Sequence, residues 1–366
     1  MLTFDRFKLK ENPFRVVPAI NSQELIWAGF GDIKSKFETR ILRSLQIPNS
    51  AIVLNWGDYG SGKTHAARYF CKDNVLQELS QRVGKQKPMS IMINFPRGKK
   101  VIEEIYTQIL DKIDIGYLRT NIPADVNIDD CINNSTDSTY IQKVLGEIFV
   151  EKGRTVDQVK AFLYGTEYPK ELVNAGITRK LSIETDAVDL LSALFNVMTG
   201  ANIYSVVILW IDEFEDISLQ NSNGINAANS FIKILLDKTP NRLLMFINFT
   251  LSAIASVESL GDYLQEAVKS RIVQRNELAY PNTPDVLNYI SELMNNQFFR
   301  TDAVENPFTP FEQGVVNQVV SDLGSVSLRK YNEAFSRLLD MAAFDDQEII
   351  NMDYYTAHKD EIITNW

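Results

Sequence analysis

Cysteine and histidine are scarce in this chain, with two of each in 366 residues. Cys71 and Cys131 lie far apart and lack the spacing of metal ligands, which excludes a disulfide-stapled fold and a structural zinc site. Reduced thiols in a cytosolic protein are the expectation. Cations are also short: 37 Lys and Arg face 47 Asp and Glu, a net charge of −10. That balance opposes a nonspecific wrap around DNA or an anionic membrane, so any nucleic-acid contact has to be local. Long apolar runs are missing too. Val206 to Ile211 is the strongest and far too short to cross a bilayer. Met1 to Lys10 alternates charged and apolar residues without the uninterrupted apolar core of a secretion signal. The expectation is a soluble, cytoplasmic protein with no membrane partner. Neither an internal repeat nor a low-complexity tract is visible.

What is present is enough for a core. Hydrophobic residues make up 45%, charged residues 23% and aromatics 10% of the chain, the composition of a globular protein. The length suits two domains, or one nucleotide-sized domain with an appendage. Five short apolar runs stand out: Ala51 to Trp56, Met89 to Phe95, Val206 to Ile211, Leu243 to Phe249 and Ile272 to Ala279. The first four are nearly continuous rather than alternating, as strands buried on both faces of a parallel sheet require. Helical spacing separates them, over Thr64 to Arg82, Val101 to Ile113 and, after a Gly/Asn/Ser loop at Gln220 to Gly224, Asn226 to Leu236. Alternating strands and helices predict a doubly wound α/β domain with a five-stranded parallel sheet.

Two regions interrupt the alternation. More than a hundred residues separate the second and third strands, including the polar, turn-rich Asn121 to Thr139 and helical patterns at Tyr140 to Phe149 and Ala187 to Met198. This predicts a helical insertion around 115–200. After Tyr280, Pro281-Asn282-Thr283-Pro284 breaks the chain, and Asp285 to Asn295, Phe311 to Leu323 and Ser327 to Ala342 read as helices. The predicted division is therefore an N-terminal segment 1–50, a core 51–280 and a helical domain 281–366.

The first strand runs into Gly57-Asp58-Tyr59-Gly60-Ser61-Gly62-Lys63-Thr64-His65, which matches G-x-x-x-x-G-K-[ST] in the strand–loop–helix setting that motif needs. Glycines let backbone N–H groups converge on phosphates, and the following helix start favours negative charge. Lys63 is assigned to the β and γ oxygens of ATP and Thr64 to Mg²⁺. A triphosphatase also needs a metal-side carboxylate and a group to activate water. The third strand supplies both where it emerges at Asp212-Glu213, the edge at which open α/β sheets bind ligands. Asp212 is assigned to the metal and Glu213 to the water, with Glu215 as the alternative base.

With these motifs the chain resembles AAA+ ATPases, in the branch of origin-recognition and initiator ATPases and transposition regulators, over most of its length. The resemblance implies an ATP hydrolase with sites shared between copies of the chain, a five-stranded AAA+ sheet and a C-terminal helical lid. Leu243 to Thr250 resembles the first sensor strand, with Asn248, or else Thr250, near the γ-phosphate. Val268-Lys269-Ser270-Arg271 resembles the box whose arginine reaches a neighbouring subunit's nucleotide. Arg271 is the arginine-finger candidate there, and Arg275 the alternative. Gly324 to Lys330 resembles the second sensor, which assigns Arg329 to lid closure. Asn12-Pro13-Phe14 and Trp27 to Asp32 resemble boxes that pass the adenine, with Phe14 and Phe30 either there or, the more frequent fate of such residues, ordinary core aromatics, and Asp32 stands where an arginine is often found.

The task of the engine is less legible than its fuel. Relatives at origins carry a winged-helix module after the lid, and Ala343 to Trp366 is too short for one. Arg97, Lys99 and Lys100 around Gly98, after the second strand, form the candidate DNA contact. The insertion, with Asp157 to Gly165, is similar to ATP-binding proteins of bacterial phage-defence islands and points to a protein interface with an effector. The expected activity is ATP-driven assembly on DNA that recruits a partner protein. A signalling switch or defence scaffold that never touches DNA is the alternative, and a small-molecule phosphotransferase is a third reading, disfavoured for want of a second substrate pocket.

Overall fold

A computed structural model describes residues 4–17, 25–150, 154–166, 172–173, 176–250 and 262–363. Five strands form one parallel sheet: β1 (Ala51–Gly57), β2 (Met89–Asn94), β3 (Val207–Asp212), β4 (Leu243–Thr250) and β5 (Ile272–Glu277). Their order across the sheet is β2-β3-β4-β1-β5. The register sets Met89 opposite Val207 and Val207 opposite Leu243, with Asn94 opposite Asp212 at the far end. Every residue of β3 and β4 is buried, as continuous apolar strands covered on both faces must be. The edge strand β5 instead alternates, with Val273, Arg275 and Glu277 exposed. The doubly wound five-stranded sheet expected from the apolar runs is the one observed.

The helices are α1 (Gly31–Gln46), α2 (Lys63–Tyr69), α3 (Asp73–Arg82), α4 (Val101–Asp111), α5 (Ile115–Thr120), α6 (Ile128–Ser135), α7 (Thr139–Phe149), α8 (Val156–Leu163) and α9 (Ile183–Gly200). After β3 come α10 (Ser222–Lys238), α11 (Glu266–Lys269), α12 (Thr283–Met294), α13 (Gln313–Leu323), α14 (Leu328–Phe344) and α15 (Met352–Ile362). Caps explain several of the starts. Ser138, Asn221, Asn282 and Asn351 each accept a hydrogen bond from a backbone N–H in the first turn, and Thr155 with Gln158 forms a reciprocal capping box on α8. Such caps are worth about 1 kcal/mol each.

Several expected boundaries moved. The single helix expected over Thr64 to Arg82 is two, because Lys72 takes an extended conformation before α3. Apolar residues keep helical spacing through the break, so periodicity does not reveal it. Gln220 to Gly224, expected as a loop, holds the Asn221 cap and the first turn of α10. The polar stretch Asn121 to Thr139 contains α6, which buries only Ile132. The region after Ala343 contains α15.

The chain divides into two compact units, Phe37–Trp56 with Phe70–Asn276, and Met1–Lys36 with Gly57–Tyr69 and Glu277–Trp366. In the first, the sheet and the inserted helices share one apolar core, in which α9 contributes Leu190, Leu191, Leu194, Phe195 and Met198. In the second, the N-terminal segment shares a core with α12 to α15. Phe14 stacks on Phe335 at 5.3 Å between ring centroids and meets Phe311 edge-on at 6.2 Å. Asn12 pins that segment down by donating to Ser336 O at 3.1 Å and Asp340 Oδ1 at 2.8 Å. Buried Arg300 donates to the carbonyls of Phe7, Met294 and Thr309, each at 2.9 Å. Of the two readings open for Phe14, beside adenine or in a core, the structure shows the second: it lies in the core of this helical unit.

Candidate functional site

The loop after β1 turns on two glycines that occupy backbone conformations closed to most residues. Gly60 has φ +78° and Gly62 φ +101°, and positive φ costs an L-residue about 1–2 kcal/mol. Ser61 N donates to Asp58 O at 3.2 Å, closing the turn. Lys63, the first residue of α2, is only 8% exposed. Its ammonium donates to Gly57 O at 2.8 Å and Asp58 O at 2.9 Å, so it is held over the loop that precedes it. Thr64 and His65 follow on α2, and Tyr59 is exposed at the loop's tip.

Within the same unit, later segments meet this loop. A Cβ at Gly60 would stand 2.6 Å from Arg329 Cβ and 3.0 Å from Ser327 Oγ, so the start of α14 lies directly against the turn. At Gly57 a Cβ would meet Leu278 O at 2.4 Å. Tyr280 is hydrogen-bonded to Asp58, and that bond, with some burial, raises the phenol's pKa. Beside the loop, Trp27 packs edge-on against His65 at 5.9 Å and Tyr69 at 5.2 Å, with Lys34 Nζ 5.5 Å from the Tyr69 ring. Phe30 contacts Tyr289 at 5.9 Å, and Asp32 lies in the first turn of α1. The resemblance of Gly324 to Lys330 to a second sensor singled out Arg329; Tyr280 was missed, and nothing short of tertiary contact would reveal it.

In the sheet unit, Asp212 ends β3 and is buried. Asn248 Nδ2 donates to its Oδ1 at 3.1 Å, so the structure brings these two candidates together. Glu213 turns the chain away with φ +54° and opens a 3-10 turn over Phe214–Leu219. A non-glycine residue in the left-handed region is uncommon and collects at functional sites. Burial pushes the Glu213 carboxyl up, Arg97 opposes that, and Asp212, Asp216 and Glu215 add to it. Glu215, the alternative base, instead accepts from Thr250 N at 3.0 Å, which uses both alternatives to tie the 3-10 turn to the end of β4.

The loop after β2 reaches these acids. Arg97 Nε donates to Asp216 Oδ2 at 2.6 Å, and its Nη2 stands 3.6 Å from Glu213 Oε2. Lys100 pairs with Glu103 at 2.7 Å, and Lys99 is exposed. Two of the three candidate DNA cations thus face carboxylates of their own unit. Arg271 donates to Ala267 O and forms an ion pair with Asp237 of α10, away from the other candidates of this unit, and Arg275 is exposed on β5. Among the described residues, no group of three or more His, Cys, Asp and Glu side chains is gathered as a metal cluster.

Comparison with known proteins adds the fold's relatives. No protein-family model and no curated protein matches the sequence. Among solved structures, the ORC2 protein of Aeropyrum pernix, in ADPNP–ADP complexes, is similar with TM-score 0.53 and 14% identity, over 91% of this chain and 67% of that one. The ORC1 protein of Aeropyrum pernix in complex with DNA gives TM-score 0.50 and 12% identity, over 97% and 70%. Drosophila ORC bound to DNA gives 0.50 and 13%, over 100% and 66%. At such identities the likeness is one of fold alone: the chain shares the fold of these ORC proteins.

Proposed function

We propose that this chain binds and hydrolyses ATP with Mg²⁺ and uses that cycle to assemble copies of itself on DNA and engage a partner protein. The observation that carries the reading is the loop Gly57 to Thr64, with its two left-handed glycines and the buried Lys63 ammonium drawn over it. Converging backbone N–H groups and one fixed cation are what a triphosphate needs.

In this reading Lys63 would bind the β and γ oxygens, and Thr64 and Asp212 would each offer an oxygen to the metal. Asp212 suits that part, being a buried carboxylate whose orientation is set by a hydrogen bond from Asn248, and carboxylate oxygen is a hard donor that magnesium accepts. Bound magnesium neutralises charge on the phosphates. Glu213 takes the proton of the attacking water, and Asn248 orients the terminal phosphate. Arg271 completes a neighbouring copy's site once it exchanges Asp237 for phosphate. Arg329, against Gly60, couples nucleotide state to closure of the helices that follow Tyr280. Arg97, Lys99 and Lys100 carry the DNA contact, and the inserted helices carry the partner.

One observation favours a second reading, a nucleotide switch acting on protein alone: Arg97 and Lys100 are already paired with acids. DNA retention that falls with salt, and is lost when Arg97, Lys99 and Lys100 are replaced by Glu, favours the first reading; no retention at any salt favours the second. For the nucleotide site, labelled ATP with Mg²⁺ is expected to bind the unaltered chain, to be lost in Lys63→Ala, and to remain bound but almost unhydrolysed in Glu213→Gln. No magnesium-dependent uptake by the unaltered chain overturns the proposal, and normal turnover in Glu213→Gln overturns the assignment of the base.

A further inference from the structure

Three asparagines and a glutamine lie end to end across the interior of the sheet. Gln274 Nε2 donates to Asn276 Oδ1 at 2.9 Å, and Asn276 Nδ2 to Asn55 Oδ1 at 2.8 Å. Asn55 Nδ2 donates to Asn248 Oδ1 at 2.8 Å, and Asn248 Nδ2 to Asp212 Oδ1 at 3.1 Å. The chain of amides crosses four neighbouring strands, β5, β1, β4 and β3, with one link on each after Gln274. It is out of water: Asn55 and Asn248 are 0% exposed, Asn276 2% and Asp212 3%.

Its direction follows from chemistry rather than from any assignment of nitrogen and oxygen. An ionised carboxylate only accepts, so Asn248 must turn its NH₂ to Asp212 and its oxygen away. That oxygen then needs a donor, which requires the NH₂ of Asn55 to face it, and the same demand passes to Asn276 and Gln274. Buried amides left without partners would each cost about 1–3 kcal/mol, and aligned hydrogen bonds polarise one another in the same sense. A strand that is otherwise apolar, Ala51-Ile-Val-Leu before Asn55, gains nothing in packing from an amide there.

We propose that Asn55 and Asn276 are positioning residues for the phosphate chemistry: they fix the plane and direction of the Asn248 carboxamide and, through it, the orientation of Asp212. Neither touches the reacting groups. The inference rests on the ATP-hydrolysing reading above, and deepens it by adding the residues that set the geometry of its sensor and metal carboxylate. Asn55 is the link on which everything towards β3 depends, and Asn276 sets the orientation of Asn55.

The test replaces Asn55 three ways in the full chain and measures ATP affinity, kcat and unfolding midpoint for each. Asn55→Ser keeps a group that can donate to Asn248 and accept from Asn276. Asn55→Leu removes both functions while filling similar space. Asn55→Asp, assayed at a pH above the value to which burial raises its carboxyl, offers acceptors only and draws the NH₂ of Asn248 round towards β1, away from Asp212. The expected result is a kcat lowered about tenfold or more in Asn55→Asp, with ATP affinity within about threefold of the unaltered chain. Asn55→Leu should fall between, and Asn55→Ser should recover most of the loss. A purely structural asparagine would make kcat follow the unfolding midpoint, with Asn55→Leu and Asn55→Asp ranked by stability alone, and that pattern overturns the proposal. Should Asn55→Asp fail to fold, Asn276→Asp tests the same relay one link further out, where kcat should fall by a smaller factor at unchanged affinity. In the unaltered protein, the side-chain NH₂ signals of Asn55, Asn248 and Asn276 should all be protected from exchange in NMR spectra; rapid exchange of any one breaks the relay. An unaltered chain that neither binds nor turns over ATP defeats the ATPase reading instead, whereas normal turnover with unmoved kcat in folded Asn55→Asp defeats this inference alone.

Discussion

Gly60 and Gly62 share one loop and both have positive φ, at +78° and +101°, but their surroundings differ. A Cβ at Gly62 would meet nothing within 4 Å, whereas one at Gly60 would lie 2.6 Å from Arg329 Cβ. Carbon atoms settle at about 3.5–4.0 Å, so Gly60→Ala forces the turn and the start of α14 apart by roughly an ångström. Both alanines carry the left-handed penalty of about 1–2 kcal/mol. Only Gly60→Ala adds overpacking, typically about 1–3 kcal/mol. A double-mutant cycle with Arg329→Gly, which removes the opposing Cβ, separates the two contributions, because the backbone costs of the single changes cancel. The assay is urea unfolding without nucleotide, analysed for each single and double variant. Gly60→Ala with Arg329→Gly should show a coupling of about 1–3 kcal/mol in the rescuing direction, and Gly62→Ala with Arg329→Gly should show coupling below about 0.5 kcal/mol. Equal coupling in the two cycles, or none in either, would refute the contact between the loop after β1 and the helix that bears Arg329.

Three further outcomes follow from particular contacts. Burial holds the Glu213 carboxyl above its ordinary value while Arg97 pulls it down, so the acid limb of kcat should sit above the usual glutamate range; Arg97→Ala should carry it to still higher pH, and an unmoved limb in a pH–rate profile counts against Glu213 as base. Phe14→Ala empties the ring stacked on Phe335 and should cost about 3–5 kcal/mol, read as an earlier urea transition; a loss under about 1 kcal/mol would mean the N-terminal segment does not share the helical unit's core. Burial of Asp186 raises its pKa, but hydrogen bonds from Arg179 and from Ser182 N outweigh that and leave it lowered. Its stabilisation is therefore present above the unfolded pKa and lost as pH falls through the depressed folded value, so Asp186→Asn should flatten the acid side of the Tm-against-pH curve, and an unchanged slope would contradict it.

Much of the architecture was legible in one dimension. The runs Ala51 to Trp56, Met89 to Phe95, Val206 to Ile211 and Leu243 to Phe249 became β1 to β4, because a strand covered on both faces has no polar face to display. Ile272 to Ala279 was read slightly long, since β5 is an edge strand and ends at Glu277. The glycine pattern of the loop after β1 was legible for a comparable reason: a turn with positive φ admits few residue types, so the letters report the backbone. Boundaries were harder. The break between α2 and α3 is invisible because Phe70, Val75, Leu76 and Leu79 keep one apolar stripe through it, and α6 was hidden because a helix that buries only Ile132 carries almost no periodic signal.

Composition and local spacing, then, determined that the chain folds as a covered parallel sheet with a phosphate-type loop after its first strand, since those features depend on residues within a few positions of one another. Tertiary structure alone decided what faces what. Arg97 met Asp216 across 119 positions, Phe14 joined a core built from residues near the other end of the chain, and four strands brought Asn276, Asn55 and Asn248 into line with Asp212. A polar side chain in an apolar run does not say which partner satisfies it. Burial demands that some partner exist, and only the order of the strands selects which.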